Sequence, residues 1–265
     1  MADEEQVRGV ADVAAAAALL ADETRARIVF ALTDGRSLPA SVLAAEAGVA
    51  ASTTSEHLSR LVTGGMVTVQ QSGRHRYYRL ANEHVAAAVE ALAVVAPAQR
   101  VRSLRDSTRA AALRRARTCY DHLAGRLGVA VTESLIDCGA LERHDGVRDA
   151  RRADGDPFAA QLSLHPYRIG PRGAAVFGEL GVELSNVNSR TRPLLRFCVD
   201  WSEQRHHLAG ALGAALLTSM ESAGWIRRNT RSRAVTLTDN GELKLREILP
   251  LESLALRRGG WAGSI

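Results

Sequence analysis

The apolar positions change period twice before residue 97, and each change marks an element. Val10 to Leu20 is an apolar, Ala-rich run that predicts a helix. In "ADETRARIVFALTDG", Ile28, Val29 and Leu32 share one helical stripe, Asp22 or Thr24 can cap the start, and Gly35 stops it. "LPASVLAAEAG" turns Val42, Leu43 and Ala47 inward and ends at Gly48. "VAASTTSEHLSRLVTGG" predicts the next helix, with Ser52 as its N-cap and Gly64-Gly65 as its stop. The period then falls to two. "MVTVQQ" alternates, "SGR" turns and "HRYYRL" alternates again, which predicts a hairpin. "NEHVAAAVEALAVV" returns to a helical period, and Pro97 ends it. The order helix–helix–helix–helix–strand–strand–helix contains a helix-turn-helix followed by a β wing.

The segment Ser52 to Leu61 has an unusual outer face. Thr54, Leu58 and Leu61 make its inner stripe, while Ser52, Thr53, Ser55, Glu56, Ser59 and Arg60 lie outside it. Small hydroxyl side chains are poor helix formers, so their concentration here needs another reason. The second helix of a helix-turn-helix lies in the DNA major groove, where short polar side chains let the backbone come close to the duplex. The candidate DNA contacts are therefore Ser52, Thr53, Ser55, Glu56, His57 and Arg60, with Arg74, His75 and Arg76 at the wing tip. From Arg60 to Arg79 there are four arginines and no acidic residue.

These residues resemble the ArsR/SmtB family of winged-helix bacterial repressors. The resemblance rests on Thr24-Arg25, on Gly48 in the turn, and on Ser52, Ser55, His57 and Leu58. It rests further on Gly65-Met66-Val67 and on Gly73-Arg74 before Tyr77-Tyr78. It covers about residues 10–96. It implies a homodimer on a near-palindromic double-stranded operator, with contacts through the first and last helices, here Val10–Leu20 and His84–Val95. It also implies repression relieved by an effector. Two departures stand out. Pro39 occupies the place of the first cysteine of the family's thiolate sensors, and only His84 survives of the second metal-ligand set. Neither usual metal site of the family is expected here, since one histidine does not make a zinc site.

The second part repeats itself. "HLAGRLGVAVTESLIDCGALE" begins at His122, and "HLAGALGAALLTSMESAGWIR" begins at His207. Each is followed by a strand-like phrase and a Gly turn, at Tyr167 and at Val235. Each unit reads helix–turn–helix–strand–turn–strand–helix, a degenerate winged helix. The paired glycines Gly125/Gly128 and Gly210/Gly213 would allow close helix packing. The expected fold class is mainly α with small β wings: an N-terminal winged helix-turn-helix plus two winged-helix-like repeats. The expected domains are 1–97, which binds DNA and dimerises, a basic connecting helix at 98–118, and an effector and dimerisation domain at 119–265 with repeats 119–184 and 198–250.

Cys119 and His122 are three residues apart, which would place them on one helical face, and Cys198 and His207 occupy comparable places. The favoured reading of these four and of Cys138 is core packing, because cysteine is among the most buried residue types. The alternative is a metal or thiol-redox sensor built on Cys119, His122, Cys198 and His207. A small-molecule effector pocket would draw on Tyr120, His122, Trp201 and His207.

Charge sharpens this picture. The net charge is +5, yet residues 98–118 hold seven Arg and one Asp. Lys244 is the only lysine, so nearly every cation is a planar, bidentate donor suited to phosphate. A non-specific nucleoid or architectural DNA binder is the alternative this segment raises. Three cysteines in 265 residues suggest reduced thiols and a cytoplasmic protein. No apolar run of roughly 18 residues suggests a membrane span or a membrane partner. There is no Gly-x-Gly cofactor loop, P-loop or hydrolase signature, so neither a cofactor nor catalysis is expected.

Overall fold

The computed structural model describes residues 11–97, 104–143, 167–190, 192–230 and 232–251. The chain divides into two compact units, Met1–Leu32 with Arg36–Val85 and Thr33–Gly35 with Ala86–Ile265. Val10, residues 98–103 of the basic segment and the polar insertion after Arg143 up to residue 166 lie outside the described residues.

In the first unit, α1 (Val13–Leu20), α2 (Glu23–Ala31), β1 (Leu38–Pro39), α3 (Ala40–Ala47), α4 (Ala51–Thr63), β2 (Val67–Ser72) and β3 (His75–Leu80) follow in order. Together they make a winged helix-turn-helix. Asp22 caps α2, its Oδ1 accepting from the Arg25 N–H at 2.9 Å. Gly48 closes α3 in the left-handed region at φ 73°, where a side chain would be strained. The N-cap of α4 is Ala50 rather than Ser52. The hydroxyls behave differently from the expected cap: Thr54 donates to the Ala50 carbonyl at 2.9 Å and Ser55 to that of Ala51 at 3.0 Å. The nearby hydroxyls thus bond back to preceding carbonyls, and Ser52 sits in the first turn.

The core of this unit is the expected stripe. Ile28, Val29, Leu32, Leu43, Ala47, Leu58 and Leu61 are buried, while Val42 is only half-buried and Ala44 takes a core place. The three-stranded antiparallel sheet has the order β1-β3-β2. Register runs from Val67↔Leu80 to Ser72↔His75, leaving Gly73-Arg74 as a two-residue turn. Gly73, at φ 57°, is the residue that makes so tight a turn possible.

The chain continues through α5 (Glu83–Val95), whose start is capped by Asn82 accepting from the Val85 N–H, and α6 (Leu104–Arg115). The second unit then passes twice through one order of elements. The first pass is β4 (Arg117–Cys119), β5 (His122–Ala124), α7 (Gly125–Asp137), β6 (Leu141–Arg143), β7 (Tyr167–Ile169) and α8 (Gly173–Glu179). The second is β8 (Arg196–Val199), β9 (His206–Ala209), α9 (Gly210–Ser222), β10 (Ile226–Arg228), β11 (Val235–Leu237) and α10 (Asp239–Ile248).

Each half therefore opens on a β hairpin where a helix was expected. All residues of β4, β5 and β9 are buried, so their burial carries no period and the local pattern could not separate strand from helix. Of the paired glycines, Gly125 lies close against the backbone of α6, as helix packing requires, while Gly128 and Gly213 pack against the strands β5 and β9. Gly125 and Gly210 begin α7 and α9 at φ 74° and 72°. A Cβ at Gly128 would lie 2.5 Å from the Leu123 carbonyl oxygen, and one at Gly213 would lie 2.7 Å from that of Leu208. Across the halves the partners exchange: α7 lies against β9, and α9 against β5. Leu127, Leu135, Ile136, Tyr167, Phe177, Leu212, Leu217 and Met220 share one core with residues of both halves. Among the described residues no helix is long and apolar enough to cross a membrane.

Candidate nucleic-acid interface and buried Cys–His cluster

On the first unit, α4 presents Ser52, Thr53, Ser55, Glu56, Ser59 and Arg60 to solvent and buries Thr54, Leu58 and Leu61. Arg60 is held by Glu56 one turn earlier, at 2.7 Å. An exposed pair of this kind is weak, and a phosphate can compete for the guanidinium. His57 is half-buried on the shoulder of the helix, its Nδ1 3.5 Å from Asp22 Oδ1. The Arg25 N–H holds the Asp22 carboxyl below its usual range against the opposing effect of burial, and the His57 and Arg25 charges help it. His57 is thus tied to the start of α2, while the other α4 candidates face outward. Arg74, His75 and Arg76 are exposed at the wing tip, and Arg79 is exposed further along β3. The arrangement is a polar helix face beside a cationic hairpin free of carboxylates.

The second unit holds a network of buried charge that sequence reasoning missed. The Arg117 guanidinium is fully buried and meets Asp200 Oδ2 at 2.9 Å and Glu90 Oε2 at 3.8 Å. It also donates to the Leu113 carbonyl and the Ser202 hydroxyl, and lies 4.3 Å from the centre of the Trp201 ring. Arg233 donates to Glu90 Oε1 at 2.5 Å and to the Thr118 carbonyl at 3.3 Å. Asp200 further accepts from the Gly125 N–H at 2.6 Å, which closes the start of α7. No periodic signal marks these residues, since buried charges are legible only once their partners are known.

Burial alone would push the Glu90 carboxyl up, but the charges of Arg233 and Arg117 and the hydrogen bond from Arg233 outweigh it and hold the pKa below 4.5. A carboxylate with a depressed folded pKa contributes stability that is present above its unfolded value and lost as the pH falls through its folded value. Wild-type stability should therefore fall more steeply below about pH 4.5 than that of Glu90→Gln. Urea unfolding across that range checks this, and parallel pH profiles would contradict it.

Beside this network the two hairpins bring four side chains together. Cys119 and His122 are direct cross-strand partners in β4–β5, and Cys198 and His207 are partners in β8–β9. The helical-face reading of Cys119 and His122 is thereby corrected. Tyr120, at φ 55°, occupies the tight turn between them. The ligand atoms of Cys119, His122, Cys198 and His207 all lie within 4.8 Å of one another. The two Nε2 atoms are 3.2 Å apart. His122 Nδ1 faces Asp121 Oδ1 at 3.6 Å, and His207 Nδ1 faces Asp200 Oδ2 at 3.4 Å.

The hydrogen bond with Cys198, then burial and the Glu90 charge, push the Cys119 thiol up to about 12. Burial opposes a charge on His207, but Asp200 and the Cys119 sulfur outweigh it and raise the pKa to about 9. Of the four expected pocket residues, His122 and His207 meet, Trp201 is engaged by Arg117, and Tyr120 shapes a turn. Cys138 stands apart at the end of α7, its sulfur near the Leu135 carbonyl. The repeat offset aligned His122 with His207, but only the hairpins place the cysteines beside them.

Comparison with known proteins gives four findings. A family model described as a helix-turn-helix domain matches residues 20–70. The chain is 38% identical to the uncharacterised HTH-type transcriptional regulator YdfF of Bacillus subtilis over 232 residues, which is 88% of this chain and 94% of that protein. It is also 45% identical over 76 residues to the HTH-type transcriptional regulator CmtR of Mycobacterium tuberculosis, covering 29% of this chain and 64% of that one. The NMR structure of that cadmium metal-sensor matches 34% of this chain and 93% of its own, at 40% identity and a TM-score of 0.29.

Proposed function

The chain belongs with the HTH-type transcriptional regulators of which YdfF is one, and from that premise we propose that it is a homodimeric, sequence-specific repressor of the ArsR type whose second unit senses an effector. The observation that carries the DNA reading is the exposed hydroxyl and arginine face of α4 beside the cationic wing. In this reading α4 enters the major groove. Ser52, Thr53, Ser55 and Arg60 meet base edges and phosphates, and Arg74, His75 and Arg76 reach the neighbouring backbone or minor groove.

Dimerisation is supported by apolar residues left at the surface. The Ala-rich α1 exposes its run from Val13 to Ala18, with Val13 itself 73% exposed. On α5, Leu92 and Val95 are 52% and 78% exposed. A second copy would cover such surfaces and set two α4 helices about 34 Å apart, one helical turn of DNA. An effector that prefers a different spacing would shift the population away from the operator.

Footprinting of the full chain on the promoter beside its own gene tests this. Protection of one short near-palindrome is the expected result. Broad protection without sequence preference would instead favour an architectural binder working through the arginines of 98–118 and would overturn the regulator reading.

A further inference from the structure

The two hairpins of the second unit contribute matching pairs of donors to one point. β4–β5 supplies a sulfur and an imidazole from cross-strand partners, and β8–β9 supplies the same from the equivalent positions. We propose that Cys119, His122, Cys198 and His207 form a four-coordinate site for a divalent metal of the zinc class, joining the two halves of this unit.

The donor geometry fits such an ion. Two Zn–N bonds of about 2.0–2.1 Å at the tetrahedral angle place their nitrogens about 3.3 Å apart. The Nε2 atoms of His122 and His207 are 3.2 Å apart, and one ligand atom from each of the four residues lies within 4.8 Å of all the others. Two thiolates and two imidazoles are a donor set that selects zinc and its softer neighbours over magnesium or calcium. The outer shell has the expected form as well. Each Nδ1 faces a carboxylate, Asp121 for His122 and Asp200 for His207, which leaves each Nε2 lone pair for the metal.

Charge also closes. Two thiolates neutralise a divalent ion, while Asp200 and Glu90 are matched by Arg117 and Arg233. Cys119, His122 and His207 are buried and Cys198 is half-buried, as suits a closed site rather than one that keeps a position open for substrate. The glycines of the repeat make room for the ligands. A Cβ on Gly213 would stand 3.2 Å from His122 Cβ, and one on Gly128 would stand 3.6 Å from His207 Cβ. The internal repeat thus gains a reason: each copy provides half of a metal site, and the ion ties them together.

The proposal goes beyond the DNA-binding reading, and its test uses no DNA, so either can fail alone. The full chain is stripped with a chelator, kept reduced and titrated with Co²⁺ as the probe. Expected are one cobalt per chain, the intense visible bands of tetrahedral cobalt, a near-ultraviolet thiolate-to-cobalt band, and displacement of all three by Zn²⁺. Cys198→Ser should weaken binding about a hundredfold or more and lower the thiolate band, whereas Cys138→Ser should leave both unchanged. Asp121→Asn should keep the bands while affinity falls about ten- to a hundredfold. If Cys198→Ser fails to fold, the wild-type spectrum still decides, because the thiolate band requires cysteine ligands. Reduced wild-type protein that shows no tetrahedral bands, or Cys198→Ser that binds cobalt as tightly as wild type, would overturn the site.

Discussion

Arg117→Ala is expected to destabilise the second unit by about 3–5 kcal/mol, because it removes one partner from a buried ionic network. The guanidinium has no exposed surface and neutralises Asp200 at 2.9 Å while sharing Glu90 with Arg233. Removing it leaves Asp200 buried among Ser202, Gly125 and His207, with the His207 imidazole as its one remaining partner of opposite charge and Glu90 matched by Arg233 alone. It also opens a space beneath the Trp201 ring and releases the Leu113 carbonyl at the end of α6. Arg117→Lys should not rescue much of the loss. A single ammonium cannot meet Asp200, Ser202 and the carbonyl together as the planar fork does. Urea unfolding of the full chain, followed by Trp fluorescence, measures this. A loss under about 1 kcal/mol would mean that the network is not the support described.

On the DNA side, Arg60→Ala and Arg74→Ala are each expected to weaken operator binding by about 1–3 kcal/mol if they meet base edges. Where they meet phosphates instead, the salt dependence should flatten by about one unit of slope for each. Arg60 starts from an ion pair with Glu56 at 2.7 Å, so part of its gain on binding is spent on leaving that partner. Arg74 sits exposed in the hairpin turn and carries no such cost in the free chain. The double variant should show nearly additive losses, since the two act from separate elements. Fluorescence anisotropy over a range of salt concentrations separates the base and phosphate readings.

The first unit was legible because each of its elements carries a period and a stop. The stripe Ile28, Val29, Leu32, the left-handed Gly48 and the Gly73 turn were each read from local chemistry. The misplaced N-cap of α4 shows the limit of that reading, because Ser and Thr favour both caps and back-bonding to carbonyls. In the second unit the repeat was visible, yet its opening strands passed for helix. Short strands buried on both faces have no alternation to betray them. The four residues Cys119, His122, Cys198 and His207 could be grouped from the repeat, but a helical frame put Cys119 and His122 on one turn, and only the hairpins make them cross-strand partners. Arg117, Glu90, Asp200 and Arg233 are far apart in sequence, and only tertiary packing explains why four charges can be buried together.

The most direct measurement of the central claim is the stoichiometry and salt dependence of the full chain on its own promoter, by sedimentation and anisotropy on one sample. The expected result is a stable dimer that binds one near-palindromic site with two copies, its affinity falling steeply as salt rises. A chain that stays monomeric on and off DNA, or that ignores the promoter at every ionic strength, would contradict it.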